Sequence, residues 1–161
     1  ATQPRPPAVP HRRRRWQLAI IAAAAAVTAA VVLFIPGSGT PPAYAVTGRN
    51  DGQVHVKVTR LEGSDGLERA LRAHGITSDI TYLPPHKQCA PGRYAERRTP
   101  GLTLAVGADL FEVTIPPDSV GRRDTFVLSA SVVPTPNGAS FTVEFGIAEG
   151  PVTPCRVVDA P

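Results

Sequence analysis

The segment that most constrains this chain is an uncharged apolar stretch, Trp16 to Ile35, which directly follows an arginine run. A helix of roughly twenty residues rises about 30 Å, which matches the hydrocarbon core of a bilayer. The sequence therefore predicts one transmembrane helix over 16–35. The positive charge lies on its N-terminal side, in Arg12, Arg13, Arg14 and Arg15.

This charge asymmetry also predicts the orientation in the membrane. No basic residue follows the apolar stretch until Arg49. Under the positive-inside rule, the N-terminus is then cytoplasmic and the chain beyond Pro36 is extracellular. We expect a single-pass protein of the cell membrane.

The basic character of the chain belongs to its N-terminal arm, residues 1–15. The whole chain carries 17 Lys and Arg residues against 13 Asp and Glu residues, a formal charge of +4. Five of these bases and none of the acids lie in the arm, so the remainder is close to neutral. Nucleic-acid binding by the folded part is therefore not expected. We interpret the arginines as a topology signal that contacts the lipid bilayer.

A cleaved signal peptide is the alternative to an anchor. Ala43 and Ala45 flank Tyr44 in the small-x-small pattern of a signal-peptidase site, and cleavage after Ala45 would release a product beginning at Val46. The apolar stretch is longer than the seven to fifteen residues usual in such signals. We expect an uncleaved anchor, and the alternative is a secreted binding or inhibitory module.

The remaining composition divides the chain into four parts. Residues 1–15 predict a disordered, proline-rich cytoplasmic arm, and residues 36–43 predict a Pro/Gly linker after the transmembrane helix. Residues 44–161 are left as one extracytoplasmic domain, which is long enough for one hydrophobic core.

The first half of this domain has the signals of a hairpin and a helix. Alternating valines, Val54 to Val58, follow an Asp-Gly step that favours a tight turn. In the helix that comes next, Asp65 is the expected N-cap and Glu68 completes a capping box. Gly75 fits the left-handed position after the C-terminus.

The second half alternates with a period of two. A strand from Ile76 to Leu83 is expected to end at a proline pair and to be followed by a loop, Pro84 to Pro100. Four alternating segments come after it: 102–106, 111–115, 126–132 and 141–147. The sequence thus predicts an α+β domain in which one antiparallel sheet of about six or seven strands packs on a single helix.

Two cysteines lie in this second half, Cys89 and Cys155. In an oxidising compartment they predict a disulfide between the loop and the C-terminal tail. In the chain-entropy model such a bond contributes roughly 4 kcal/mol. The alternative is a metal half-site formed by His86 and Cys89, but zinc needs four convergent ligands and we expect no metal.

Known catalytic motifs are absent from the sequence, so neither catalysis nor a cofactor is expected. An enzyme would need a cavity that gathers polar groups such as His86, Tyr94 and Glu96. The candidate for binding an anionic surface or a protein partner is a basic loop. Its cations are His86, Lys87, Arg93, Arg97 and Arg98.

The chain resembles uncharacterised single-pass membrane proteins of high-GC actinobacteria that have a small extracytoplasmic domain. The resemblance lies in the arginine cluster, the alanine-rich span, and the sequences of residues 42–47, 50–52 and 66–76, and it extends to roughly Cys89. Some of these proteins accompany extracytoplasmic-function sigma factors, which implies an anti-sigma-like role. The zinc-binding pattern HxxxCxxC is absent, and the chain has no methionine. We therefore expect a further N-terminal piece before Ala1, and any sigma-binding segment would have to lie in that piece.

Overall fold

The computed structural model describes residues 40–107 and 109–161. The predicted arm, the predicted transmembrane helix and residues 36–39 of the predicted linker lie outside the described residues. Within them, no helix has the length and apolar character needed to cross a bilayer. The described elements are β1 (Tyr44–Gly48), β2 (Val54–Val58), α1 (Ser64–Ala73), β3 (Ser78–Leu83), β4 (Lys87–Cys89), β5 (Ala95–Arg97), β6 (Thr103–Val106), β7 (Phe111–Ile115), β8 (Asp124–Thr135), β9 (Gly138–Glu149) and β10 (Val157–Asp159).

These strands form three sheets. The first sheet is antiparallel, in the order β1-β2-β7-β6, and the second has the order β3-β8-β9-β5. The third is a two-stranded antiparallel pair of β4 and β10, called here the C-terminal ribbon. One hydrophobic core joins α1 to the two larger sheets, with Val56, Leu71 and Phe126 completely buried.

The α+β class and the single helix are confirmed for the described part of the chain. The prediction of one antiparallel sheet is wrong, because β3 and β8 are parallel neighbours and the strands divide among three sheets. A period of two identifies the buried face of a strand but not its neighbour. The predicted loop 84–100 also contains two strands, β4 and β5.

Helix α1 is held at its N-terminus differently from the prediction. Its N-cap is Gly63, at φ 67°, with no side-chain hydrogen bond, and Asp65 lies in the first turn. Glu68 does not form a capping box: its Oε1 accepts a hydrogen bond of 2.8 Å from the Ile80 N–H. Gly75 has φ 76°, so the left-handed position is confirmed. The Glu68 side chain therefore connects the helix to β3.

This contact generates a stability prediction. Glu68→Ala leaves the Ile80 N–H without its acceptor, and Ile80 is buried, so we expect a loss of about 1–3 kcal/mol in the free energy of unfolding. Glu68→Gln keeps a carbonyl oxygen at the same place and is expected to lose much less. Urea unfolding of both variants measures the difference, and equal losses would contradict the assigned role.

Candidate functional site

The five cations of the predicted basic loop do not form one surface. Lys87 lies in β4, where its Nζ is 2.6 Å from Asp159 Oδ1 of β10. This hydrogen bond and the positive charge of Lys87 lower the pKa of the Asp159 carboxyl. Arg93 is 4% exposed, and its Nη2 lies 2.9 Å from Asp79 Oδ1. The prediction that Arg93 belongs to a binding surface is therefore wrong. Arg93 is buried, and its ion pair with Asp79 joins the loop to β3.

The remaining cations are arranged around β5 and the turn before β4. Arg97 places Nη2 2.9 Å from Asp124 Oδ2 and also donates to the Ser119 carbonyl. His86 and Arg98 are exposed, and His86 occupies a left-handed conformation with φ 63°. Because Lys87, Arg93 and Arg97 all face carboxylates of the same chain, little positive charge is left for an anionic partner.

The predicted disulfide between Cys89 and Cys155 is present. Backbone hydrogen bonds continue the contact on both sides of it, from Ala90 N to Arg156 O and from Thr153 N to Arg93 O. Both sulfurs are in the disulfide, so the alternative metal half-site with His86 is not formed. Among the described residues, no group of three or more His, Cys, Asp or Glu side chains is placed to hold a metal ion.

A prediction follows for the disulfide. Because it closes a loop with a sequence separation of 66, the variant Cys89→Ser/Cys155→Ser is expected to lose roughly 4 kcal/mol of unfolding free energy. Denaturant unfolding with and without a reductant provides the test. The reductant should destabilise the unaltered protein and leave the double variant unchanged. If the reductant lowers the unfolding free energy of both proteins equally, the disulfide is not the source of the lost stability.

The C-terminal ribbon and the second sheet border a half-open cavity of about 230 Å³. Ser129, in β8, is buried, and its Oγ donates a hydrogen bond of 3.2 Å to Glu144 Oε2 in β9. The cavity therefore has a carboxylate on one side and the polar residues of β4 on the other. Its lining consists of Leu83, Lys87, Gln88, Cys89, Pro91, Ser129, Thr142, Val143 and Glu144.

Tyr94 lies next to this carboxylate, over the backbone of β9. A Cβ atom on Gly146 would lie 3.0 Å from the Tyr94 hydroxyl oxygen and 3.3 Å from Glu96 Oε1, so a larger residue would require both side chains to move by a few tenths of an ångström. Burial, followed by the negative charges of Glu144 and Glu96, raises the pKa of Tyr94 to about 12. The phenol therefore remains protonated at neutral pH and acts as a hydrogen-bond donor.

The chemistry available at the cavity is hydrogen bonding to a small polar ligand or to water. None of His86, Tyr94 and Glu96 belongs to the lining, although Tyr94 and Glu96 lie beside each other over Gly146. The volume is below the roughly 300–1,000 Å³ of usual ligand pockets. No sequence pattern indicates that Tyr94 lies next to Glu144, because the two residues are fifty positions apart and neither belongs to a recognisable motif.

No protein-family model, no curated protein sequence and no solved structure matches the chain. A function therefore has to follow from the residues and contacts of the chain itself.

The Tyr94 environment makes a titration prediction. Glu144→Gln removes a negative charge beside the phenol, so the Tyr94 pKa should fall from about 12 towards 10 while burial keeps part of the shift. Near-ultraviolet absorbance during an alkaline titration measures it, and Tyr94→Phe identifies the Tyr94 step. Since the folded-state pKa exceeds the unfolded one, the stabilising contribution of Tyr94 is present below pH 10 and decreases towards pH 12. An unchanged midpoint in Glu144→Gln would contradict this assignment.

Proposed function

We propose that the chain is a single-pass membrane protein whose extracytoplasmic domain serves as an interaction or sensing module and not as an enzyme. The observation that carries the proposal is structural. Cleavage by signal peptidase after Ala45 would remove residues 41–45, and these residues make contacts within the folded domain.

The first of these contacts involves β1. Tyr44 and Ala45 pair with Val58 and Lys57 of β2, as the first two of five residue pairs. Tyr44 packs against the hydrophobic core, and its ring also lies against Gly66 of α1. A Cβ atom on Gly66 would overlap the Tyr44 hydroxyl. Tyr44 is thus fitted between the sheet and the helix.

The preceding residues are held by the end of β2. The Ala43 carbonyl accepts hydrogen bonds from Thr59 N at 2.8 Å and from Arg60 N at 3.1 Å. The Arg60 guanidinium donates to the Pro41 carbonyl at 2.8 Å. The folded structure therefore begins within the stretch whose composition predicts a linker, and residues 41–43 are part of it.

Cleavage after Ala45 would remove these contacts together. The product would begin at Val46, would keep only three of the five residue pairs between β1 and β2, and would lack the Tyr44 ring. An anchored chain keeps all of them. This difference supports the anchored form over the secreted module.

Two further observations support an interaction role over catalysis. The cavity beside the C-terminal ribbon is small, and the sequence has no catalytic motif. The Ser129 hydroxyl of the cavity is hydrogen-bonded to Glu144, but no histidine belongs to the described lining. An anti-sigma-like role remains a proposal from the resemblance, and it would require a protein partner on the cytoplasmic side.

The test of anchoring uses the full chain with a C-terminal tag in an actinobacterial host. The cells are fractionated, and mass spectrometry determines the N-terminus of the tagged product. We expect an uncleaved product in the membrane fraction, with its tag open to protease added outside the cells. A product beginning at Val46 in the medium would overturn the anchored form.

Ala45→Val provides the matched control for this experiment. Valine at the position before the cut is too large for signal peptidase, whereas it suits an exposed position in a β-strand. If the anchor is uncleaved, the variant and the unaltered chain will fractionate identically. A shift of the variant from the medium to the membrane would show that the unaltered chain is cleaved.

A further inference from the structure

The second sheet has a long strand with a free edge. Strand β9 pairs with β8 along all twelve of its residues, from Gly138 to Glu149. On its other side, β5 pairs with residues 147–149 only. Among the described residues, no strand is hydrogen-bonded to that side of β9 between Gly138 and Gly146.

The backbone groups on this edge can be identified from two hydrogen bonds. The Phe126 N–H donates to Thr77 O and so points away from β9, whereas the Gly150 N–H donates to Arg123 O across the β8–β9 pair. Because backbone groups alternate along an antiparallel strand, every second residue of β9 turns its N–H and C=O away from β8. In the free segment these residues are Ala139, Phe141, Val143 and Phe145.

The free edge has few of the features that prevent strand pairing. Proteins commonly protect an exposed edge with Lys, Pro or a bulge. The segment from Gly138 to Gly146 contains no Pro, Lys or Arg, and its one charged residue is Glu144. Phe141, Val143 and Phe145 are half-buried and alternate onto one face of β9, where Val143 and Phe145 pack against the core, so apolar surface extends to the edge.

We propose that a second copy of this chain pairs with the β9 edge, antiparallel and about a two-fold axis at Thr142. In this register Ala139 lies opposite Phe145 of the second copy, and Phe141 lies opposite Val143 of the second copy. All four outward-facing residues then exchange both backbone hydrogen bonds. The two half-buried apolar stripes meet across the axis and lose exposed area.

The charges and the neighbouring strand favour this register over axes at Val143 and Glu144. Ser140 lies opposite Glu144 of the second copy, so no like charges face each other. An axis at Glu144 would place the two carboxylates directly opposite, which destabilises a strand pair. An axis at Val143 would place Ala139 opposite Ile147 of the second copy. The backbone groups of Ile147 on that edge are already paired with Arg97 of β5. The edge is thus complementary to itself, as a two-fold interface requires.

This dimer goes beyond the proposed function and does not depend on it, because the β9 edge is present in an anchored and in a secreted product. Anchoring would favour the dimer by confining both copies to one surface and raising their effective concentration.

The test is cysteine cross-linking in the full chain. Thr142→Cys places two thiols in a directly opposed pair at the axis, where the Cα atoms are expected to be about 4.5 Å apart. Ser140→Cys is the matched control on the same strand and face. Its two thiols would lie about four residue steps apart, roughly 13 Å, which is beyond the reach of a disulfide. Non-reducing electrophoresis of membrane and medium fractions measures the yield.

We expect a reducible dimer of twice the chain mass from Thr142→Cys and little from Ser140→Cys. Equal yields from both variants, or none from either, would overturn the proposal. An adduct of Thr142→Cys with another protein would also overturn it, because the β9 edge would then pair with a strand of that protein and not with a second copy. Since both fractions are analysed, the result for the dimer is separate from the result for anchoring.

Charge variants test the register in the Thr142→Cys background. Ser140→Glu would face Glu144 of the second copy twice in each dimer, so the cross-linked fraction should fall roughly three- to tenfold. Ser140→Lys introduces a side chain of similar length at the same exposed position, but with a positive charge opposite the Glu144 carboxylate. This variant should keep or increase the yield of cross-linked dimer. A similar fall in both variants would contradict this register.

Discussion

The structure depends on burial of β8 on both of its faces. Phe126 and Leu128 contribute one face to the hydrophobic core, while Val127 and Ser129 on the opposite face are buried as well. Parallel β3 and antiparallel β9 supply the hydrogen bonds on its two sides. Such a strand cannot be left with an open face, and the C-terminal ribbon lies over the face that the core does not cover. The cavity beside Glu144 is the space left between the two.

The charged residues of loop 84–100 mainly serve this arrangement. Arg93 reaches Asp79 at β3, Lys87 reaches Asp159 in β10, and the disulfide fixes the two strands of the ribbon to each other. The buried Arg93–Asp79 pair differs from the exposed Lys87–Asp159 pair in its energetics. Removing one partner of the buried pair would strand a charge in the interior, whereas the exposed pair contributes little. Basic residues whose clustering in the sequence suggests a binding surface thus hold parts of the fold together.

The turns and the disulfide were predictable from the sequence, whereas the pairing of distant strands was not. The β1–β2 hairpin and the left-handed Gly75 follow from turn chemistry, and the disulfide follows from the presence of two cysteines together with the predicted oxidising compartment. The parallel β3–β8 pair and the approach of Tyr94 to Glu144 join distant segments, whose pairing no local pattern encodes. Glu68 shows the same limit, because its position suits a capping box while the fold provides it with the Ile80 N–H instead.

The hydrogen bonds of Pro41 and Ala43 limit how far the domain can extend from a membrane. In the proposed anchored form, the chain between Ile35 and the bonded Pro41 spans at most about 20 Å when fully extended. The domain then works close to the bilayer surface, with the start of β1 and the end of β2 nearest to it. In that form a partner would have to approach the membrane, and two copies would meet mainly by lateral diffusion. The short tether would therefore restrict the orientations in which a partner or a second copy can bind.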